Sequence, residues 1–172
     1  VPSTTRWLGL RGKQLELQLR VATPEPGRVL PSRFGIDVLA ANSSNDDSMG
    51  ATAFQRTRIA VMRDKQLLAI DRTLSGVPAD ADVRAGPLSF WFAPSGADER
   101  DANATSTLLL HVYVDASIVT VLAGNRTAVT VHVHPDELAV GVALFAEGAG
   151  AVHMQLEGWQ LLPVYAAPPP DR

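Results

Sequence analysis

Three carboxylates stand where short apolar segments of this chain end. Asp71 follows Leu67–Ile70, Asp115 closes the run Leu108–Val114, and Glu147 follows Leu144-Phe145-Ala146 and precedes Gly148. Two such groups held about 5–5.5 Å apart can cleave a glycosidic bond with retention, one giving a proton to the leaving oxygen and the other attacking. A strand-end Asp has a simpler use, its carboxylate accepting from backbone N–H groups of the following turn. Glu147 before a glycine reads in the same way as a corner between two strands. The structural reading is adopted for all three, and no catalytic residue is assigned.

Other residues invite chemistry less strongly. His132 and His134 are two apart on one alternating segment, so they share a face with Thr130. Two zinc ligands could come from such a pair, with His111 or His153 as a third, but no third ligand lies nearby in the sequence. No metal and no cofactor is therefore assigned, although the pair would repel when protonated and loosen its strand in acid. No Gly-x-Ser-x-Gly surrounds any serine, and no glycine-rich phosphate loop is present. Trp7, Phe90, Trp91, Phe92, Trp159 and Tyr165 could stack on a sugar if they face solvent, against a default of core or interface packing. In Phe90-Trp91-Phe92 alternation turns Trp91 away from its neighbours, so either Trp91 or the two Phe must leave the main core, and Trp91 is the first candidate carbohydrate-binding residue.

The elements that must position these groups follow a period of two. Leu15 to Val21 alternates apolar with charged or amide residues, as a strand with one wet face does. Phe34–Leu39 is a second strand; Arg56–Met62 and Gln66–Asp71 form a hairpin with Arg63-Asp64-Lys65 at its turn. Ser75–Gly86 reads as a loop, Leu88–Phe92 as an aromatic strand, and Ala97–Ser106 as a loop or a short turn of helix. Thr107–Asp115, Ile118–Ala123, Thr127–His134, Val140–Ala146 and Val152–Leu162 complete the set. The expected fold is all-β, a two-sheet antiparallel β-sandwich of jelly-roll or concanavalin-like kind with about ten strands. Thr107–Asp115, apolar on both faces, is expected to be central and covered on both sides. Residues 1–6 read as a linker remnant, 7–165 as the sandwich, and 166–172, with three successive prolines, as an extended mobile tail.

Composition narrows the partners. The 172 residues carry a net charge of −3, with Lys and Arg scattered, so no nucleic acid is expected. No apolar run approaches the roughly 20 residues of a membrane helix, so no membrane is expected either. A start at Val1 without a signal pattern reads as a mature product or a fragment. There is no cysteine, hence no disulfide and no thiolate site. Three of the four asparagines stand in Asn-x-Ser/Thr sequons, Asn42, Asn103 and Asn125, all in turn-like stretches. That bias favours a secreted or vacuolar eukaryotic glycoprotein over a chance co-occurrence of loop residues.

In order and spacing, Leu108–Leu161 resembles the C-terminal β-sandwich module of glycoside hydrolase family 32, the invertase, inulinase and levanase family. The module's Val-Asp-x-Ser-x-Val pattern stands here as Val114-Asp115-Ala116-Ser117-Ile118-Val119. Its Thr-x-Arg-x-aromatic-Pro ending becomes Thr130-Val131-His132-Val133-His134-Pro135, and Leu67–Gly76 looks like its hydrophobic strand followed by Asp-Arg-Ser/Thr and Ser-Gly. The resemblance implies a non-catalytic module that flanks or stabilises a five-bladed propeller in the same parent chain, where sucrose or fructan is cleaved, and that sometimes contributes to homodimer formation or to the rim of the substrate cleft. The propeller's Asn-Asp-Pro, Arg-Asp-Pro and Glu-Cys motifs are absent, since Asn45-Asp46-Asp47 has no Pro and the chain has no Cys. The chain alone is thus expected to be non-catalytic, with its parent a β-fructofuranosidase-type glycosidase. The alternative reading is a free-standing lectin-like sandwich that binds fructan or another glycan.

Overall fold

The structure, a computed structural model, describes residues 2–22, 29–41, 54–76, 82–92 and 107–162. Their alternating sequences fold into two antiparallel sheets packed face to face. The strands are β1 (Ser3–Arg11), β2 (Gln14–Ala22), β3 (Arg33–Ala41), β4 (Gln55–Met62), β5 (Leu67–Leu74), β6 (Val83–Pro87), β7 (Thr107–Asp115), β8 (Ile118–Ala123), β9 (Thr127–His132), β10 (Gly141–Glu147) and β11 (His153–Gln160). One sheet has the order β1-β10-β3-β4-β5-β6, the other β11-β2-β7-β8-β9. This is a β-sandwich.

Between the sheets lies one core. Leu15, Leu17, Leu19 and Val21 of β2 face Phe34, Ile36, Ile59, Val61, Leu68 and Ile70 of the opposite sheet, all with no exposed surface. Burying each such side chain is worth about 1.5–3 kcal/mol, and in β2 the period of two is what selects the inward face. The β4–β5 hairpin turns through a single 3₁₀ turn, Arg63–Lys65, where Gln66 takes φ 53° and its N–H donates to the Arg63 carbonyl at 3.1 Å.

The structure corrects four expectations. Ser3–Arg6 is not linker: these residues begin β1, which pairs with β10 from Ser3 opposite Glu147. An edge strand whose residues are mostly exposed has no apolar alternation to announce it. Val83–Pro87, inside the expected loop, is the opposite edge, with Val83 51% exposed. Leu88–Phe92 is not a strand; Leu88 packs in the core and Ser89–Phe92 makes one turn of helix. Finally, β7 is central in its sheet but is covered on one face only, with Leu109, His111 and Tyr113 half-buried on the other. The tail at 166–172 lies outside the described residues, as do the loops holding Asn42 and Asn103.

Candidate functional site

Two of the three carboxylates come together on the outward face of the six-stranded sheet. Asp71 ends the apolar half of β5 and Glu147 ends β10, and Arg33 at the start of β3 lies between them. Its Nη1 is 3.6 Å from Glu147 Oε2 and its Nη2 is 4.0 Å from Asp71 Oδ2. The centre of the cluster is a pair that sequence reasoning missed. Asp37 and Arg58 are cross-strand partners on β3 and β4, where Arg58 Nε donates to Asp37 Oδ1 at 2.8 Å and Nη2 to Oδ2 at 2.9 Å. The remaining Nη1 donates to Glu147. Arg56, two residues before Arg58 and so on the same face, places Nη1 4.0 Å from Asp37.

Asp37 is 2% exposed and Arg58 4%, which makes this a buried charge cluster on an outward sheet face. Beneath the guanidinium lies the Phe145 ring, 3.7 Å from its central carbon to the ring centroid. Burial opposes the charge on Arg58, but the hydrogen bonds and attraction of Asp37, and then of Glu147, outweigh it and raise its pKa above the usual arginine value. Arg56 is shifted the other way, by burial first and by repulsion from Arg58 second, with Asp37, Glu147 and Asp71 offsetting part of the loss. Three arginines and three carboxylates balance. The signal that could have found this site is the lone Asp37 in the otherwise apolar run Phe34–Ala40, since a buried carboxylate demands a cation.

The arrangement is a clamp rather than an acid–base pair. A glycosidase needs one carboxyl free to deliver a proton and another aimed at the sugar. Here Glu147 is engaged by Arg58 and Arg33. Asp71 accepts from Thr73, at 3.0 Å from the backbone N–H and 2.6 Å from the hydroxyl, a local bond within β5 rather than the strand-end turn expected of it. Asp115 sits apart on the other sheet, exposed, where the Gln14 side-chain amide donates to it at 3.1 Å.

The remaining candidates are scattered. Trp91 is 9% exposed and packs edge-on against Phe34, ring centroids 6.2 Å apart, so it belongs to the core and offers no solvent-facing ring to a sugar. Because Ser89–Phe92 is a helical turn, the strand alternation expected to separate Trp91 from Phe90 and Phe92 does not apply. His132 is exposed on β9, and exposed His134 forms a parallel bridge with Gly76. Among the described residues no three His, Asp or Glu side chains gather as a metal site. An open concavity of about 440 Å³ at the β6–β9 seam is lined by Arg72, Arg84, Thr130 and His132. Both arginines there are tied to Asp82, at 2.6 and 2.8 Å. Asn125 is exposed in the β8–β9 turn, where Gly124 and Asn125 take φ 52° and 56° and the Arg126 N–H donates to the Ala123 carbonyl at 3.0 Å.

The family model for "Glycosyl hydrolases family 32 C terminal" matches residues 2–160. This chain belongs to that family. No curated protein sequence matches it. Among solved structures it is similar to a fructosyltransferase from A. japonicus, with a TM-score of 0.74 at 20% identity, covering 94% of this chain and 25% of that one. An exo-inulinase from Aspergillus awamori superposes with a TM-score of 0.66 at 23% identity, covering 96% and 30%. A fructan 1-exohydrolase IIa from Cichorium intybus gives 0.60 at 13%, covering 92% and 33%. The family 32 C-terminal chain thus spans a quarter to a third of the enzymes whose fold it shares. Its Val114-Asp115-Ala116-Ser117 motif is now explained. Asp115 pairs with Ile118 across a two-residue hairpin in which Ala116 takes φ 49° and donates to the Lys13 carbonyl at 2.7 Å.

Proposed function

We propose that the chain is a non-catalytic β-sandwich module of a sucrose- or fructan-cleaving enzyme, flanking and stabilising a propeller catalytic domain of the same parent chain. The observation that carries this reading is the match of residues 2–160 to the C-terminal family model, beside a coverage of only 25% of the fructosyltransferase chain. The clamp supports it, since Glu147 is held by Arg58 and Arg33, and Arg33 also stands 4.0 Å from Asp71. Incubated with sucrose or inulin, the isolated chain is expected to release no reducing sugar above background. Turnover that disappears on Asp115→Asn or Glu147→Gln would overturn the reading.

The exposed Asn125 turn supports a second part of the proposal, that the module is glycosylated and secreted or vacuolar. Expressed with a signal peptide in yeast, the chain should gain mass that an endoglycosidase removes, and Asn125→Gln should delete one glycan. Identical mass in the two proteins would exclude this site.

A further inference from the structure

The outward face of the five-stranded sheet carries a different constellation. Register sets Trp159 of β11 beside Glu16 of β2, and Glu16 beside Tyr113 of β7. A carboxylate therefore lies between two aromatic side chains on three adjacent strands, each about 4.8 Å from the next. The neighbouring row on the same face is Glu157, Gln18 and His111. Trp159 is 46% exposed. The polar groups beside it are held in place: a His111 Nε2–Glu16 Oε1 hydrogen bond of 2.8 Å, a Tyr113 Oη–His111 Nδ1 bond of 3.2 Å, and rings of His111 and Tyr113 with centroids 4.4 Å apart. One neutral imidazole tautomer satisfies both bonds, with Nε2–H donating to Glu16 and Nδ1 accepting from Tyr113.

The chemistry of these six side chains suits a polyol. A sugar presents C–H groups on its ring faces and hydroxyls around its edge. The indole can take the first, while carboxylate, amide and imidazole take the second in a fixed pattern. No Lys or Arg occurs in the two rows, and two Glu do, so an anionic ligand is disfavoured. We propose that this face binds a neutral oligosaccharide, with Trp159 and Tyr113 as the walls on either side of the sugar and Glu16 as the hydroxyl acceptor between them. The proposal stands apart from the accessory-module reading. Saccharide binding without turnover is consistent with both, and turnover would sink the other alone.

Isothermal titration of the chain with fructo-oligosaccharides, cello-oligosaccharides and oligogalacturonates is the test. At least one neutral series is expected to saturate with a Kd of about 1 mM or tighter. Trp159→Ala should weaken it about tenfold or more, and Glu16→Gln, which keeps the shape of the side chain, should weaken it as well. Trp7→Ala, on the outward face of the other sheet, should leave it unchanged; melting curves identify any variant that fails to fold. The proposal fails if no neutral saccharide saturates, if the oligogalacturonates bind as well, or if Trp7→Ala matches Trp159→Ala. It also fails if Glu16→Gln, folded, binds like the parent.

Discussion

Replacing Asp37 with Ala is expected to cost about 3–5 kcal/mol, because it leaves one buried charge without its partner. Arg58 would keep Glu147 but lose both bonds of its bidentate pair, at a site only 4% exposed. For a chain of this size the melting temperature should fall by roughly 6–20 °C, followed by circular dichroism. The double change Asp37→Leu with Arg58→Met should recover most of that loss, since the cost lies in an unpaired buried charge rather than in the absence of the pair. Arg58→Lys on its own should also destabilise: an ammonium cannot make the two-pronged contact with Asp37 while also reaching Glu147. A melt of Asp37→Ala within about 2 °C of the parent would mean that water reaches Arg58 and the clamp contributes little.

Gly35→Ala, two residues earlier on the same face of β3, should be more damaging. Gly35 has φ 153°, and a Cβ there would stand 2.1 Å from the Ile59 carbonyl oxygen on β4. That oxygen is backbone in the centre of the sheet, so strands β3 and β4 would have to part or the residue to twist. Gly35 is also the cross-strand partner of Phe145 on the other side of β3, so the strand is paired on both sides at this position. The expected loss is about 4 kcal/mol or more, above the roughly 1–3 kcal/mol usual for an overpacked core, because the obstacle is backbone. Gly9→Ala is the control. A Cβ on Gly9 meets nothing within 4 Å, and its effect should stay within about 0.5 kcal/mol in urea denaturation. Equal effects of the two substitutions would show that sheet spacing at Gly35 is not fixed.

How much of this was legible in the sequence depends on what each residue faces. Strands with one wet face and one buried face, such as Leu15–Val21, announce themselves through alternation, whereas the β4–β5 hairpin shows as two apolar runs on either side of the charged Arg63–Lys65. Edge strands do not. In β1 and β6 few side chains reach the core, and their pairing comes from backbone groups that every residue carries. The clamp illustrates a second limit. Arg33, Asp37, Arg58 and Glu147 are spread over more than a hundred residues, and only register brings them together. The residues around Asp71 and Glu147 in the sequence give no means to see that one arginine, Arg33, lies between them. Trp91 marks the third limit, since whether a five-residue aromatic run is strand or helical turn depends on packing far from it.

The pairing of β1 with β10 and of β2 with β11 ties the opening strands to the closing ones. On a ribosome, where chains emerge at about 5–20 residues per second, Ser3–Arg11 has no sheet neighbour until Gly141–Glu147 has been made. For that interval the open side of β3, whose residues are buried on both faces in the finished sheet, is bare. The nascent six-stranded sheet is thus left with an adhesive edge until β10 has been made. Glu147, the last residue of the strand that seals it, arrives as the final member of the charge cluster. Completion of the clamp and closure of that edge are a single late event in the life of the chain.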